Sequence, residues 1–275
     1  MVPRPARLAG LVAALGLTAA GCSFPGTPSA GAAPASAAVT VSPSPADSRT
    51  PLQKLRAGIP TVKSPRYHYS IKSSIDAKSG VLDPPDKIAE TLNYQHYTNP
   101  SHTETTITLQ TEDRAWVMVK FTPAYLASQS SLPNKWMSLD TKKLTYADGT
   151  PYVYSGDLEA GEINEIFDEV TDIHEVGADH FAGVTDLSNA DDGHEIFSAA
   201  QFKALGSKVA HVPFTAALDG HGRMTTATLR LPATGKYKAS TWEITFDEYG
   251  TAAVPKLPTA AEQTKAPASV YGWYS

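Results

Sequence analysis

Apolar and polar residues alternate with a period of two in several stretches between residues 67 and 247. In a β-strand this alternation puts apolar side chains on one face and polar side chains on the other. It is typical of an antiparallel sheet that has one face in water. The stretches are Tyr67–Ile75, Thr105–Leu109, Val212–Leu218, Met224–Leu231 and Trp242–Phe246, and Ala115–Phe121 is a further predicted strand that is apolar on both sides. The chain is therefore predicted to build a large antiparallel sheet.

Turn residues mark two hairpins. Asp219–Gly222 lies between two alternating stretches and predicts a tight turn there. Residues 172–188 have the pattern of a second strand pair, turned at Gly177–Asp179.

Two segments change to a helical period. A helix of about a dozen residues, which Asp157 can cap, is predicted from one apolar stripe: Ile163, Ile166, Phe167 and Val170. A second helix is predicted over His194–Leu205, and Gly206 is placed to end it.

A large sheet with two amphipathic helices on one face is an α+β domain. If the helices pack tightly, that face is a filled core. If the sheet curls around them loosely, it encloses an apolar cavity suited to a lipid chain. The sequence leaves both arrangements open.

Residues 1–21 have the pattern of a secretory signal peptide. Arg4 and Arg7 make the start basic, and residues 8–21 carry no charge and end in small residues. This apolar run is shorter than the roughly 20 residues that a membrane-spanning helix requires. We therefore expect export and removal of residues 1–21.

Cys22 is the only cysteine of the chain, which excludes a disulfide within it. Residues 19–22 (AAGC) resemble the lipobox of bacterial lipoproteins. In that family the cysteine thiol receives diacylglycerol, the signal peptide is cut before the cysteine, and the new amino terminus can be acylated, for example with palmitate. The commonest lipobox has Leu where this chain has Ala19. The resemblance implies lipidation at Cys22 and an anchor in the outer face of the cell membrane.

The next segment, residues 22–51, consists mainly of Ser, Ala, Pro, Gly and Thr. Such a composition buries little apolar surface, so a disordered tether is predicted. Without residues 1–21, the chain has 21 basic and 28 acidic residues, a formal net charge of −7. This balance argues against a nucleic-acid partner, because nucleic acid binds clustered positive charge.

The folded domain is expected over residues 52–260. The last segment, residues 261–275, is again rich in small residues and carries Tyr271, Trp273 and Tyr274. This C-terminal tail is either frayed or an aromatic tip that docks on the domain or touches the membrane interface.

Four stretches resemble the LolA/LppX-like lipoprotein superfamily, as found in high-GC Gram-positive bacteria: Leu132–Asp140, Val170–Ser188, Val212–Pro232 and Ile244–Pro258. The resemblance implies a half-barrel, a curved antiparallel sheet with helices packed on its concave face, which in family members encloses hydrophobic ligands. Asp83–Pro100 departs from the family as a long polar insertion. Its role is left open, between reshaping and covering a cavity mouth.

The chain lacks the sequence motifs that usually carry catalysis or phosphate binding. It has no phosphate-binding P-loop, no HExxH, no GxSxG and no repeated Cys/His spacing. His174 and His180 flank a turn among acidic residues, but they are interpreted as surface residues of a hairpin. We therefore expect no catalytic residues, no metal site, no cofactor and no enzymatic activity.

Four large side chains are the candidates for lining a cavity or a core: Trp116, Met118, Phe214 and Trp242. The strand Ala115–Phe121 is apolar on both sides, so it lies either in the centre of the sheet or beside a cavity. Trp116 and Met118 share one side of this strand.

These features lead to one functional hypothesis and one alternative. The chain is predicted to be a membrane-anchored extracytoplasmic lipoprotein of the cell envelope that binds or carries a lipid or other hydrophobic ligand. The alternative is a non-enzymatic sensor or scaffold lipoprotein that binds a protein partner at the cell envelope. A large cavity would favour the carrier, and an exposed apolar patch would favour the partner.

Overall fold

The structure is a computed structural model, and it describes residues 48–73, 77–96, 103–124, 131–144, 152–156, 160, 163–189 and 196–273. Twelve strands are found in this part of the chain: β1 Tyr67–Lys72, β2 Ala77–Asp83, β3 Ile88–His96, β4 Thr103–Gln110, β5 Ala115–Thr122, β6 Trp136–Leu139, β7 Val170–Gly177, β8 His180–Thr185, β9 Val212–Leu218, β10 Met224–Leu231, β11 Ser240–Asp247 and β12 Gln263–Lys265.

All twelve strands belong to one curved sheet that does not close on itself. The order across the sheet is β12-β6-β5-β4-β3-β2-β1-β11-β10-β9-β8-β7. Neighbouring strands are antiparallel except β12 and β6, which are parallel. The sheet is therefore mixed, whereas a purely antiparallel sheet was predicted. The arrangement is compatible with an α+β half-barrel.

Four short α-helices accompany the sheet in the described residues: α1 Pro51–Gly58, α2 Ile163–Asp168, α3 Ala199–Leu205 and α4 Ala268–Tyr271. Turns of 3-10 helix lie at Thr141–Lys143, Gly206–His211 and Ala260–Glu262.

Helix α1 begins inside the segment predicted to be a tether. Thr50 caps it: the Thr50 hydroxyl accepts from the Gln53 backbone N–H, and the Gln53 side chain accepts from the Thr50 backbone N–H. Pro51 at the first helical position has a backbone angle suited to this start. The sequence TPLQ thus carries a complete capping box, and ordered structure starts before residue 52.

The first predicted helix is shorter than expected. Helix α2 ends at Asp168, and Val170 pairs with Thr185 as the first residue of β7. Val170 has the helical spacing from Ile163, but its pairing with β8 places it in a strand. Ile163, Ile166 and Phe167 are buried as predicted. Asp157 lies outside the described residues.

The second predicted helix begins later than expected, because residues 196–198 are described and are not helical, and α3 starts at Ala199. Ser198 caps α3, and its hydroxyl accepts from the Gln201 backbone N–H. Gly206 ends the helix with a φ of 53°, a backbone angle that glycine adopts without strain. His194, the predicted start, lies outside the described residues.

The segment Asp83–Pro100 is largely a strand. After a turn at residues 84–87, Ile88–His96 forms β3, which pairs without interruption with β2 and with β4. Polar residues such as Thr91 and Asn93 interrupt its apolar pattern, which is why its strand signal is weak. Residues 97–100 lie outside the described residues.

The sheet has two faces that the strand register distinguishes. Phe214 pairs with Leu229, which pairs with Trp242, so the three side chains share a face. The unbroken register from β11 through β1, β2, β3 and β4 carries this face to Val117 on β5. We call it the inner face, and the opposite one, which carries Trp116, the outer face.

The segment after residue 260 docks on the sheet. Gln263–Lys265 forms β12 at the edge beside β6, and Val270 of α4 is fully buried. The Tyr271 hydroxyl accepts from the Asp140 backbone N–H at 2.9 Å. Of the two arrangements that the sequence left open, residues 263–271 adopt docking on the domain. Trp273 is 47% exposed, and Tyr274 lies outside the described residues.

Candidate functional site

The inner face carries a large apolar cluster in the half of the sheet that contains β8–β11, β1 and β2. Strands β8–β11, β1 and β2 contribute Phe181, Phe214, Leu229, Trp242, Ile244, Ile71 and Leu82, among others. Helices α1, α2 and α3 pack onto this part of the sheet through Leu55, Phe167 and Leu205. Phe167 meets Phe214 edge to face, with ring centroids 5.2 Å apart. This set is called the larger cluster.

A second apolar cluster lies on the same face near the other edge of the sheet. It comprises Ala115, Val117, Val119, Met137, Leu139, Leu144, Ala266 and Val270. Strands β5 and β6 form its floor, and α4 covers it with Val270. This set is called the smaller cluster.

A strip of polar side chains separates the two clusters. The strip lies on β3 and β4 and comprises Thr91, Asn93, Thr106, Thr108 and Gln110, which the register places on the inner face. The Tyr69 and Thr91 hydroxyls are within hydrogen-bonding distance, at 2.9 Å. The inner face thus has a polar strip with an apolar surface on each side, a pattern that suits an amphiphilic molecule, and we call this part of the face the groove.

Burial changes along this groove. On β4, Ile107–Gln110 is buried, whereas Thr103–Thr106 is only partly buried. Gln95, level with Glu104 in the register, is exposed. The groove is therefore closed at the β4–β5 turn and more open toward the β3–β4 connection.

The closed end is sealed by residues 152–156. Tyr154 is almost fully buried, and its backbone N–H donates to the Thr111 carbonyl at 3.0 Å. Gly156, with a φ of 101°, lies against the turn after β2, where an added Cβ would be 3.1 Å from the Pro84 carbonyl oxygen. This segment thus covers the end of the groove where the β2–β3 and β4–β5 turns meet.

Two buried polar atoms of the inner face have no hydrogen-bond partner among the described residues: the Trp242 indole Nε1 and the Asn93 Oδ1. Trp242 has no exposed surface. Buried polar groups are nearly always paired in folded proteins, so these two atoms need an explanation. The sequence indicated Trp242 by its size but not its unpaired N–H.

The four predicted lining residues do not come together. Phe214 and Trp242 lie in the larger cluster on the inner face, whereas Trp116 and Met118 lie on the outer face. Alternation along β5 decides this, because Val117 and Val119 take the inner positions. One cavity cannot be lined by all four residues.

Trp116 is buried on the outer face by the connection from β11 to β12. Both ends of this connection are held on the outer face by hydrogen bonds. The Arg66 Nε donates to the Ala252 carbonyl at 2.7 Å, and the Trp116 Nε1 donates to the Gln263 Oε1 at 2.8 Å. Pro255 and Pro258 of this connection are buried. The outer face is therefore covered where it is apolar, around Trp116 and Leu109.

One carboxyl group on the outer face has a perturbed protonation equilibrium. Burial raises the pKa of Glu90, and the charge of Lys120 offsets part of this effect. Glu90 pairs with Leu109 and Val81 in the register, so its neighbours across the strands are apolar. This explains the direction of the shift.

The described residues contain no group of three or more His, Cys, Asp or Glu side chains placed to hold a metal ion. His180 Nδ1 lies 2.7 Å from the Ala178 carbonyl oxygen. No helix in the described part of the chain is long and apolar enough to cross a membrane. Cys22, the predicted lipidation site, lies outside the described residues.

Comparison with known proteins adds no assignment. No protein-family model matches the chain, and no curated protein matches its sequence.

Proposed function

We propose that this protein is a membrane-anchored extracytoplasmic lipoprotein whose LolA/LppX-like half-barrel binds or carries a lipid or other hydrophobic ligand, without enzymatic activity. The observation that carries the proposal is the inner-face groove, with an apolar cluster on each side of a polar strip and one end more open than the other. The lipobox-like residues 19–22 support the anchor.

Binding would be driven by burial. An acyl chain that leaves water for the apolar walls gains about 25 cal/mol for each Å² of buried apolar surface. A polar head group would lie at the more open end, where Gln95 is exposed. The predicted tether between Cys22 and helix α1 would let the domain reach a donor and an acceptor while Cys22 stays in the membrane.

Two neighbouring residues of β4 allow a matched test of ligand binding. Thr106 and Thr105 are both partly buried, but Thr106 lies in the polar strip of the inner face and Thr105 on the outer face. Thr106→Trp would fill the groove, whereas Thr105→Trp adds the same side chain outside it.

The experiment is mass spectrometry of organic extracts from the full-length protein and both variants, purified from an actinobacterial host in the same detergent. We expect one lipid species in stoichiometric amount with the wild type and Thr105→Trp, and its loss with Thr106→Trp. Because all three proteins carry the same anchor, lipid bound only to the anchor cannot differ among them. Equal extracts from the two variants would rule out binding in the groove.

The anchor has its own test. Growth with an alkyne-labelled palmitate should label the wild-type protein, and Cys22→Ser should remove the label and release the protein from the membrane fraction. Label that persists in Cys22→Ser would contradict lipidation at this residue.

The alternative, a lipoprotein that binds a protein partner, is supported by strand β7. It is an edge strand of eight residues, most of which are exposed, and Val176 within it is 60% exposed. Edge strands of this length can pair with a strand of another protein. Val176→Asp should then abolish cross-linking to the partner in cells and leave the lipid extract unchanged.

A further inference from the structure

The indole N–H of Trp242 is a buried hydrogen-bond donor within the larger cluster. We propose that it determines ligand specificity by donating a hydrogen bond to the ester carbonyl oxygen of an acyl-chain ligand held on the inner face. This inference rests on the proposed function and adds to it a chemical class of ligand and the residue that recognises it.

The location of Trp242 places it at the more open end of the groove. Ile244 pairs with Ile71, Ile71 with Lys78, and Lys78 with Asn93 of the polar strip. Trp242 is the next residue of β11 on the same face, one step further toward the end of the groove where Gln95 is exposed.

The surroundings of Trp242 restrict what can accept its proton. The residue paired with it is Leu229, and the next inner-face residue in that row is Phe214. A buried water molecule is usually held by about three polar partners, which Leu229 and Phe214 do not supply. A ligand atom that arrives with its own apolar chain meets this donor without that requirement.

The acceptor is expected to be uncharged. Placing an ionised phosphate or carboxylate within an apolar cluster carries a large desolvation cost. An ester carbonyl is a good acceptor, carries no net charge and is attached directly to an acyl chain. A ligand that matches both the apolar cluster and the single donor is thus an acyl ester.

A buried donor without a partner carries a free-energy cost, and only a ligand with an acceptor at the right place removes this cost on binding. A site built around one hydrogen bond therefore discriminates against a ligand of the same shape that lacks the acceptor. Trp242 should separate acyl esters from the corresponding alkyl ethers.

The test uses two probes, 1-monooleoylglycerol and its ether analogue 1-O-oleylglycerol, which differ in the ester carbonyl. Binding to the full-length protein is measured for the wild type, Trp242→Phe and Trp116→Phe. Trp116 is a matched control, because its indole N–H already has Gln263 as a partner and lies on the outer face.

We expect the wild type and Trp116→Phe to bind the ester about three- to tenfold more tightly than the ether, the range that one hydrogen bond provides. Trp242→Phe should bind both probes with equal affinity. In the wild type, the indole N–H resonance of Trp242 should shift downfield with the ester and not with the ether, which tests the contact without any variant.

Three results obtained with probes that bind would overturn the contact. Equal binding of both probes by the wild type, retained discrimination by Trp242→Phe, or an indole resonance that responds equally to both probes would each exclude it while leaving the carrier function intact. Failure of both probes to bind while a lipid co-purifies with the protein would also exclude the ester contact alone. Failure of both probes together with empty organic extracts would overturn the proposed function itself.

Discussion

The indole N–H of Trp116 on β5 donates a hydrogen bond to the Oε1 of Gln263 on β12 at 2.8 Å, between residues 147 positions apart. It connects the edge strand β12 to β5 on the outer face of the sheet. Trp116 is only 2% exposed, so loss of this acceptor would leave a buried donor without a partner.

Gln263→Leu is therefore expected to lower the free energy of unfolding by about 1–3 kcal/mol, the cost of an unpaired buried donor. Gln95→Leu, at an exposed position of β3, should change it by less than about 0.5 kcal/mol. Urea unfolding followed by tryptophan fluorescence measures both. Equal effects of the two variants would show that the Trp116–Gln263 bond contributes nothing.

Helix α4 is expected to stabilise the smaller cluster through Val270. Val270→Ala removes two buried methyl groups and should cost about 2 kcal/mol. Ser269→Ala is the control, because its side chain is exposed on the same helix. Thermal unfolding of the two variants measures the difference, and an unchanged midpoint for Val270→Ala would mean that α4 is not part of the cooperative unit.

The Arg66–Asp83 pair is expected to matter more than the surface ion pairs. The two side chains are 2.9 Å apart, and Asp83 is almost completely buried. Arg66→Met leaves the Asp83 carboxylate without its cation and should cost about 3–5 kcal/mol. Asp83→Asn in the same protein should restore part of this loss.

Lys256→Met is the matched control for that pair. Lys256 lies 3.8 Å from Glu262, and both side chains are well exposed, so an effect below about 1 kcal/mol is expected. Chemical denaturation of the four proteins gives the comparison. Similar losses for Arg66→Met and Lys256→Met would contradict a special role for the buried pair.

Because the pKa of Glu90 is raised, replacing its carboxyl group is expected to increase the stability of the fold in a pH-dependent way. The Glu90 carboxyl keeps its proton to a higher pH in the folded chain than in the unfolded chain, where its pKa is near 4.5. The folded state therefore loses stability as pH rises through and above that value. Glu90→Gln should be more stable than the wild type at pH 7, and the gain should disappear as pH falls below about 4.

Unfolding free energies measured between pH 3 and pH 8 test this prediction. Glu165→Gln, at an exposed position of α2, serves as the control and should show no such gain. A Glu90→Gln protein that is less stable than the wild type at pH 7 would indicate that attraction to Lys120 outweighs the burial of the carboxyl group.

Local patterns predicted many of the strands. The β9–β10 hairpin follows from two alternating stretches and from Asp219, whose carboxylate accepts from the backbone N–H groups of His221 and Arg223. Strand β3 was not predicted, because its inner-face residues from Thr91 onward are polar and Glu90 interrupts the apolar residues of its outer face. The four residues of β6 and the three of β12 are too few for a periodic signal.

The position of β12 at the edge of the sheet could not be predicted from sequence patterns either. Residues 248–262 carry the chain from β11 across the outer face to the far edge, where β12 pairs in parallel with β6. A composition of small residues and proline is equally compatible with a free tail. Docking is decided by the buried Val270 and by the bond between Asp140 and Tyr271.

The sequence by itself determined where strands alternate, which residues of each strand are apolar, and that residues 1–47 differ in composition from the rest of the chain. These properties depend on neighbours in the chain. Only the tertiary structure decided that Phe214 and Trp242 lie on one face and Trp116 and Met118 on the other. That outcome is the sum of seven successive strand registers between β9 and β5, and a shift of one residue in any of them would change which of these residues share a face.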